Sequence, residues 1–258
     1  GIRLSPQKKQ LLANRLRRRL RDTGLATFED YYSHLKRIPP EDPEWDAFLQ
    51  EITTHETYLF RDQAQWDWLR RDFLPQAVSA ARSGERPRKL RFWSAASSTG
   101  DEAFSIACCV AAGLSLRRDW NIKILGTDIG AATVAEAKAA RFGPRAMRLV
   151  PADLQRRFFT VLPGATPLPA AWQAKADLVD MTEFRVHNLM EPLRESPFDL
   201  VFLKNVLIYF DAPSKRTVID HVRKLLRPGS MLVAGAAEGV GDLMQGFERV
   251  QPWLYRRT

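Results

Sequence analysis

The stretch FWSAASSTGDEAFSIA at residues 92–107 constrains the fold of this chain most strongly. Its apolar start predicts a buried strand, its small residues predict a tight loop that ends at Gly100, and the apolar residues beyond predict a helix. The next predicted strand, in KILGTDI, ends at Asp128. In doubly wound sheets, an acid roughly 20 to 30 residues beyond the first loop binds a ribose. An ordinary turn and a helix N-cap explain each feature alone, whereas the pair indicates a Rossmann-like cofactor site.

The chain from residue 89 onward alternates apolar strands with amphipathic helices. Strands are predicted in LRFWSA, NIKILGTD and FDLVFLKN, and helices in EAFSIACCVAAGL, ATVAEAKAARF and PSKRTVIDHVRKLL. This alternation predicts an α/β fold with right-handed crossovers and a mostly parallel sheet. RPGSMLVAGAAEG and PWLYRRT predict a buried strand and a last strand that pairs antiparallel at the sheet edge. This closing hairpin resembles that of class I S-adenosylmethionine methyltransferases.

Two other segments bear on the domain organisation. Residues 5–76 have a polar, helical pattern, and the connector SGERPRK follows a predicted helix at 64–82. We therefore predict a helical domain at residues 1–76 and an α/β domain at 77–258. Residues 150–184 are rich in Pro and Ala and fit no regular crossover, so we expect either a long loop or a small inserted subdomain there.

The charge of the chain favours an acidic partner. The net charge is +9 and the isoelectric point is about 9.8, which suits nucleic acid, a membrane surface or a carboxylate-rich protein. Near the start, leucines recur every fourth residue, so they share one helical stripe and leave a basic face opposite. A solvated surface helix without a partner explains the same pattern. The stripe is Leu12, Leu16 and Leu20, and the basic face that we predict for the partner is Arg17, Arg18 and Arg21.

Several classes of protein are disfavoured by composition. No apolar run approaches the roughly 20 residues that span a bilayer, and the N-terminus lacks a signal-peptide core, so we expect a soluble, cytoplasmic protein. Cys108 and Cys109 are adjacent, which suits neither a disulfide nor a metal site. The four histidines have no zinc spacing. We expect no metal cofactor.

Six phrases of the chain resemble, in order, those of the CheR-type chemotaxis receptor methyltransferases. They are THETYLFRD at residues 54–62, SAASSTGDEAFSIA, TDIGAATVAEAKAARF, FRVHNL, FDLVFLKNVLIYFD and LRPGSMLVAGAAEG. The likeness covers nearly the whole chain, and NVLIYFD is its most specific part. The resemblance implies an α/β, Rossmann-like class I S-adenosylmethionine methyltransferase domain with a small inserted β-subdomain and a small all-helical N-terminal domain. It also implies methyl transfer to glutamate side chains of chemoreceptors.

The resemblance also implies roles for individual residues around S-adenosylmethionine and its product S-adenosylhomocysteine. Glu102 would receive the methionine ammonium, Asp128 the ribose hydroxyls, and the pair Asn188 and Leu189 the adenine edge. Structural alternatives are a helix N-terminal acid for Glu102 and a loop cap for Asn188. The predicted cofactor-binding residues are Thr57, Arg61, Ala95, Gly100, Glu102, Asp128, Asn188, Leu189, Lys204 and Asn205.

The predicted catalytic residues are Arg61 and Tyr209. The fork of Arg61 suits a clamp on the carboxylate of the substrate or of the cofactor, with an interdomain salt bridge as its alternative. Tyr209 would border the transferred methyl group or serve as a core aromatic. Lys204 is nominated by its position after a predicted strand, on the crest where open sheets bind ligands, although the family usually has arginine there.

Some positions depart from the family pattern. His55 stands where asparagine is frequent, Leu59 replaces an aromatic residue, and AAEG lacks the usual histidine and serine. These departures suggest a noncatalytic S-adenosylmethionine-binding regulatory module as one alternative. The basic charge suggests a nucleic-acid methyltransferase as another, against which stands the lack of a recognised RNA-binding signature. We expect as partner the acidic helical cytoplasmic region of a chemoreceptor, with no nucleic acid, no membrane insertion and a monomeric enzyme.

Overall fold

The computed structural model describes residues 9–39, 41–53, 56–114, 119–164, 171–235 and 237–258. The helices in these ranges are α1 (Lys9–Thr23), α2 (Phe28–Arg37), α3 (Pro43–Ile52), α4 (Gln63–Trp68), α5 (Leu74–Arg82), α6 (Asp101–Gly113), α7 (Ala131–Ala139), α8 (Pro144–Met147), α9 (Ala152–Phe158), α10 (Ala176–Val179) and α11 (Ala212–Lys224). The strands are β1 (Lys89–Ala95), β2 (Asn121–Asp128), β3 (Arg141–Phe142), β4 (Phe159–Leu162), β5 (Ala171–Ala174), β6 (Thr182–Val186), β7 (Phe198–Leu203), β8 (Leu226–Ala234), β9 (Phe247–Gln251) and β10 (Leu254–Arg257).

Helices α1, α2 and α3 pack around a small core of their own. Leu16, Tyr31 and Leu35 are buried there, and Leu12 and Leu20 pack against them. The predicted leucine stripe of α1 is thereby confirmed. The helices begin where short polar side chains cap them, since Thr27 accepts the N–H of Asp30 and Asp42 accepts that of Glu44.

The helix predicted at residues 64–82 is present but contains a π-helical turn. Leu69–Phe73 has π geometry between α4 and α5. The ring of Trp66 in α4 stacks on Phe202 in β7 with 5.3 Å between centroids. Leu69 and Leu74 belong to the same core as the sheet. This long helical segment therefore lies against one face of the sheet.

The main sheet has seven strands in the order β6-β2-β1-β7-β8-β10-β9. Strands β6, β2, β1, β7 and β8 are parallel to one another. The burial of these strands explains their apolar sequences, since helices cover both faces of a parallel sheet. The predicted α/β fold is confirmed, and the order reverses direction between β1 and β7. Ligands bind at such a switch point in open α/β sheets.

The C-terminal hairpin differs in one respect from the prediction. Strand β10 is antiparallel to β8, as expected, but it lies between β8 and β9 instead of at the edge. The edge strand is β9, which the sequence did not indicate. Its sequence FERVQ is exposed at four of five positions, so it lacks the apolar alternation that marks a half-buried strand.

A second sheet of three antiparallel strands, in the order β3-β5-β4, lies between α7 and β6 in the chain. The ring of Phe142 in β3 contacts Phe104 in α6 edge-on, with 5.2 Å between centroids, so the small sheet is joined to the main core. No helix in the described ranges combines the length and apolar composition needed to cross a membrane.

Candidate cofactor site

A cavity of about 420 Å³ opens at the carboxyl ends of β1, β2 and β7, beneath the N-terminal helices. Its volume lies within the range of roughly 300–1,000 Å³ that is typical of small-molecule sites. Nine of the predicted site residues contribute to its wall. These are Thr57, Arg61, Glu102, Asp128, Asn188, Leu189, Lys204, Asn205 and Tyr209.

The loop after β1 forms one wall and is held by Asp128. Ser98 donates its backbone N–H to one carboxylate oxygen of Asp128 at 2.8 Å, and Gly130 donates to the other at 3.2 Å. The backbone of Ala96 and Ser98 has positive φ, 65° and 49°. Small side chains and these two hydrogen bonds therefore keep the loop pressed against the end of β2.

Ala95 and Gly100 are predicted site residues that do not line the cavity. Ala95 is fully buried within β1. Gly100 has φ +90°, and a Cβ atom there would lie 3.1 Å from that of Ala137 and 3.2 Å from the Phe184 ring. Gly100 thus serves the close packing of α6 against its neighbours, and its lack of a side chain meets a structural need.

Glu102, in the first turn of α6, joins two other groups in the wall. One of its oxygens accepts a hydrogen bond from the Ser94 hydroxyl at 2.7 Å, and the other lies 3.5 Å from the Lys204 ammonium. Burial raises the pKa of the Glu102 carboxyl, while Lys204 and Ser94 act in the opposite direction. The Lys204 side chain is 2% exposed and lies 3.0 Å from the carboxylate of Asp62.

Thr57 and Arg61 come from the segment that links the N-terminal helices to α4. One Nη of Arg61 donates to the backbone carbonyl of Glu56 at 2.9 Å, and the guanidinium lies 5.8 Å from the centroid of the Tyr58 ring. Across the described residues the guanidinium forms no ion pair, so an interdomain salt bridge does not account for it. The neighbouring Leu59 is fully buried, and His55 lies outside the described residues.

Asn188 and Leu189 line the cavity shortly after the end of β6. The side-chain oxygen of Asn188 accepts the N–H of Met190 at 3.0 Å, which is the loop-capping role. Asn188 lines the cavity, and its amide nitrogen is a hydrogen-bond donor. The side chain of Leu189 is buried and presents an apolar surface.

Asn205 and Tyr209 lie in a turn that a buried carboxylate organises. Glu238 is fully buried and accepts the N–H groups of Val206 at 3.3 Å and Ile208 at 2.9 Å. Burial raises its pKa, against the effect of these backbone donors. Asn205 itself has φ 58°, a left-handed conformation that Asn adopts more readily than most residues. Sequence reasoning missed Glu238, although an acid in the apolar run VAGAAEG was a visible signal.

Two further wall residues were also missed. His187 lines the cavity beside Asn188, and burial lowers its pKa. Arg15 of α1 reaches the cavity with its guanidinium donating to the backbone carbonyl of Thr53 at 3.2 Å. A helical-wheel argument could have found Arg15, because it lies three residues after Leu12 on the packed side of α1.

The predicted partner-binding residues of α1 do not reach the cavity. Arg17, Arg18 and Arg21 are exposed. Arg17 donates to the side chain of Asn14 at 3.3 Å, while Arg18 lies 3.9 Å from Asp22 and 3.8 Å from Glu51. They belong to the outer surface of the N-terminal helices.

Buried polar atoms around the cavity suit a polar ligand. Ser97 Oγ, Ser98 Oγ and His187 Nε2 are buried and have no hydrogen-bond partner among the described residues. Buried polar atoms normally have partners, and those of a nucleoside would supply them. The acids Glu102 and Asp128 fit an ammonium group and a ribose. These residues therefore fit S-adenosylmethionine. Among the described residues, no group of His, Cys, Asp and Glu is arranged to hold a metal ion.

The parallel sheet with its antiparallel closing hairpin, and the match to a domain model for S-adenosylmethionine binding, define a class I S-adenosylmethionine methyltransferase. The model described as "CheR methyltransferase, SAM binding domain" matches residues 55–254. The model described as "CheR methyltransferase, all-alpha domain" matches residues 1–53.

Named relatives agree with these matches. The chain is 35% identical over 240 residues to chemotaxis protein methyltransferase 2 of Pseudomonas aeruginosa, which covers 92% of this chain and 81% of the relative. It is 32% identical over 251 residues to the chemotaxis protein methyltransferase of Escherichia coli, covering 96% of this chain and 82% of the relative. The chain belongs to the CheR family of S-adenosylmethionine-dependent methyltransferases, as its six phrases predict.

Proposed function

We propose that this enzyme methylates glutamate side chains in the acidic, helical cytoplasmic region of chemotaxis receptors. The observation that carries the proposal is the pairing of Glu102 and Asp128 in one cavity with the cations Arg61 and Lys204, in a chain whose relatives are chemotaxis methyltransferases. A cytoplasmic, monomeric enzyme that binds neither nucleic acid nor metal belongs to the same proposal.

Different residues hold the parts of S-adenosylmethionine in this proposal. Glu102 accepts the methionine ammonium, and Asp128 accepts hydrogen bonds from the ribose hydroxyls, since each carboxylate oxygen has a second lone pair beside the one that a backbone N–H uses. The Asn188 amide and the Leu189 side chain contact the adenine. Thr57, Lys204 and Asn205 complete the wall around the methionine part. When bound, S-adenosylmethionine supplies an electrophilic methyl on a positively charged sulfur.

The acceptor needs orientation more than deprotonation. A glutamate side chain has a reference pKa of about 4.3, so it is ionised at neutral pH and requires no general base. Arg61 is suited to fix the planar carboxylate through two N–H groups, and Tyr209 borders the reacting oxygen. Orientation of this kind lowers a barrier by about 7 to 11 kcal/mol in favourable cases.

The test is mass spectrometry of receptors after incubation with the enzyme and S-adenosylmethionine. The expected result is one added methyl mass on glutamate-containing peptides of the receptor cytoplasmic region, absent when those glutamates are changed to alanine. A parallel incubation with total RNA and labelled cofactor serves as the comparison. Label on RNA alone would indicate the nucleic-acid alternative, and cofactor binding without transfer to any receptor would indicate a regulatory module.

A further inference from the structure

Asp62 stands at the start of a helix but does not cap it. It directly precedes α4 with φ 65°, and its side chain forms no capping hydrogen bond with the helix. Aspartate at this position ordinarily accepts an N–H of the first turn and stabilises the helix. Here the carboxylate instead lies 3.0 Å from the ammonium of Lys204. Asp62 therefore contacts Lys204 at the edge of the cavity and does not cap the helix.

Lys204 lies between two acids that differ in solvent exposure. Its ammonium is 3.0 Å from Asp62 and 3.5 Å from Glu102, and it lies 5.5 Å from the centroid of the Trp66 ring. The Asp62 side chain is 47% exposed, whereas that of Glu102 is 15% exposed. A cation so close to a poorly solvated carboxylate would move onto it if nothing held it back.

We infer that Asp62 is a positioning residue of the cofactor site, which holds the Lys204 ammonium off Glu102 and leaves one Glu102 oxygen to the ammonium of the cofactor. This rests on the proposed function, in which Glu102 accepts that ammonium. The other Glu102 oxygen already accepts the Ser94 hydroxyl at 2.7 Å. Two ammonium groups would otherwise compete for the oxygen that remains.

Because residue 204 is a lysine, its charge is not placed by a planar fork. Lysine is a compact point charge on a flexible stem, whereas arginine presents a rigid fork of donors. Lys204 therefore needs an external partner to set its place, and Asp62 provides it from the interdomain segment. The same contact ties the segment that carries Arg61 to the end of β7.

The test compares ligand binding by the wild type and Asp62→Asn with calorimetry. Asparagine keeps the size of the side chain and tolerates the left-handed backbone. The ligands are S-adenosylhomocysteine and its analogue that lacks only the α-amino group. We expect the variant to bind S-adenosylhomocysteine about tenfold more weakly, as loss of one charge-assisted contact would cause, and to bind the deaminated analogue as the wild type does.

Two controls define the outcome. Asp67→Asn, on the same helix, breaks an ion pair with Arg70 at 2.7 Å and should leave both affinities unchanged. In a Lys204→Met background, Asp62→Asn should have no further effect, because Asp62 acts through Lys204. If Asp62→Asn weakened the binding of both ligands equally, or of neither, the inference about Asp62 would be overturned but not the proposed function. A wild type that binds no S-adenosylhomocysteine would overturn the proposed function itself.

Discussion

Arg61 is the residue on which the proposed catalysis depends most. Its guanidinium lines the cavity and forms no ion pair with another described residue, so it is available to an incoming carboxylate. We predict that Arg61→Ala lowers turnover roughly 100-fold or more, the loss expected for a strong charge-assisted contact. Arg61→Lys should have intermediate activity because it keeps the charge but loses the fork. Initial methylation rates with a receptor fragment measure this, and a fully active Arg61→Ala enzyme would refute the assignment.

Glu102 should make cofactor binding depend on pH. Burial raises the pKa of this carboxyl, so it is neutral below that raised value and ionised above it. An ammonium group requires the ionised form, and we therefore predict that affinity for S-adenosylhomocysteine rises as pH increases through the raised pKa. Calorimetry over a pH series that rises from the ordinary glutamate pKa of about 4.5 measures this.

A variant isolates the contribution of Glu102. Glu102→Gln should bind more weakly and with little dependence on pH over the same range, because its side chain does not titrate. Parallel curves for the wild type and the variant would mean that another group titrates.

At the scale of single residues, the sequence predicted nine residues of the cavity wall and missed others, among them Arg15 and His187. Asp128 could be predicted because it ends a strand at a fixed offset beyond the first loop, and Glu102 because the phrase around it resembles that of the CheR family. Arg15 and His187 have no such offset; Arg15 could be inferred only from its place on the packed side of α1, and the folded chain brings it to the cavity. Gly100 was predicted as a binding residue, yet its surroundings are Ala137 and Phe184.

At the scale of elements, the turn Leu207–Tyr209 depends on Glu238. Its carboxylate accepts N–H groups of Val206 and Ile208, and the amide of glutamine would bring a donor against these donors. We predict that Glu238→Gln lowers the free energy of unfolding by about 1–3 kcal/mol and reduces kcat, because Tyr209 loses its fixed place. The affinity for S-adenosylhomocysteine should fall less than kcat, because Asn205 is the one proposed cofactor contact in this turn.

Chemical denaturation, calorimetry and methylation rates together test this expectation. The matched control is Glu248→Gln, an exposed position paired with Arg256 at 3.2 Å, which should behave as the wild type. Unchanged kcat in a Glu238→Gln enzyme of reduced stability would separate the turn from catalysis.

The elements that the sequence predicted well are those with a regular pattern of apolar residues. Strands β1, β2, β7 and β8 and helix α6 have such a pattern, because both faces of this part of the sheet are covered. The edge strand β9 and the π-helical turn at Leu69–Phe73 do not. Strand β9 is defined by its backbone pairing with β10, and the π turn falls within one continuous helical pattern. Both therefore depend on contacts with residues outside the local sequence.

At the scale of the whole molecule, positive charge is divided between the cavity and the outer surface. The net charge is +9, and within the cavity Lys204 is matched by Asp62 and Glu102. The exposed face of α1 carries Arg17, Arg18 and Arg21, of which Arg18 lies near Asp22 and Glu51. This face lies outside the cavity, so its charge can attract a large acidic partner without competing with the cofactor.

This division predicts separate effects on the two ligands. Replacing Arg17, Arg18 and Arg21 by glutamine should raise KM for the receptor roughly tenfold, the combined effect of several exposed contacts, with kcat and cofactor affinity unchanged. The salt dependence of the wild-type rate should weaken in the variant, because exposed charges are screened over about 8 to 10 Å. The control replaces Arg216, Arg227 and Arg249, which are exposed outside the N-terminal helices, with the same change in net charge. If the control raised KM equally, overall charge would account for the attraction, whereas an effect confined to α1 would assign the receptor contact to that helix.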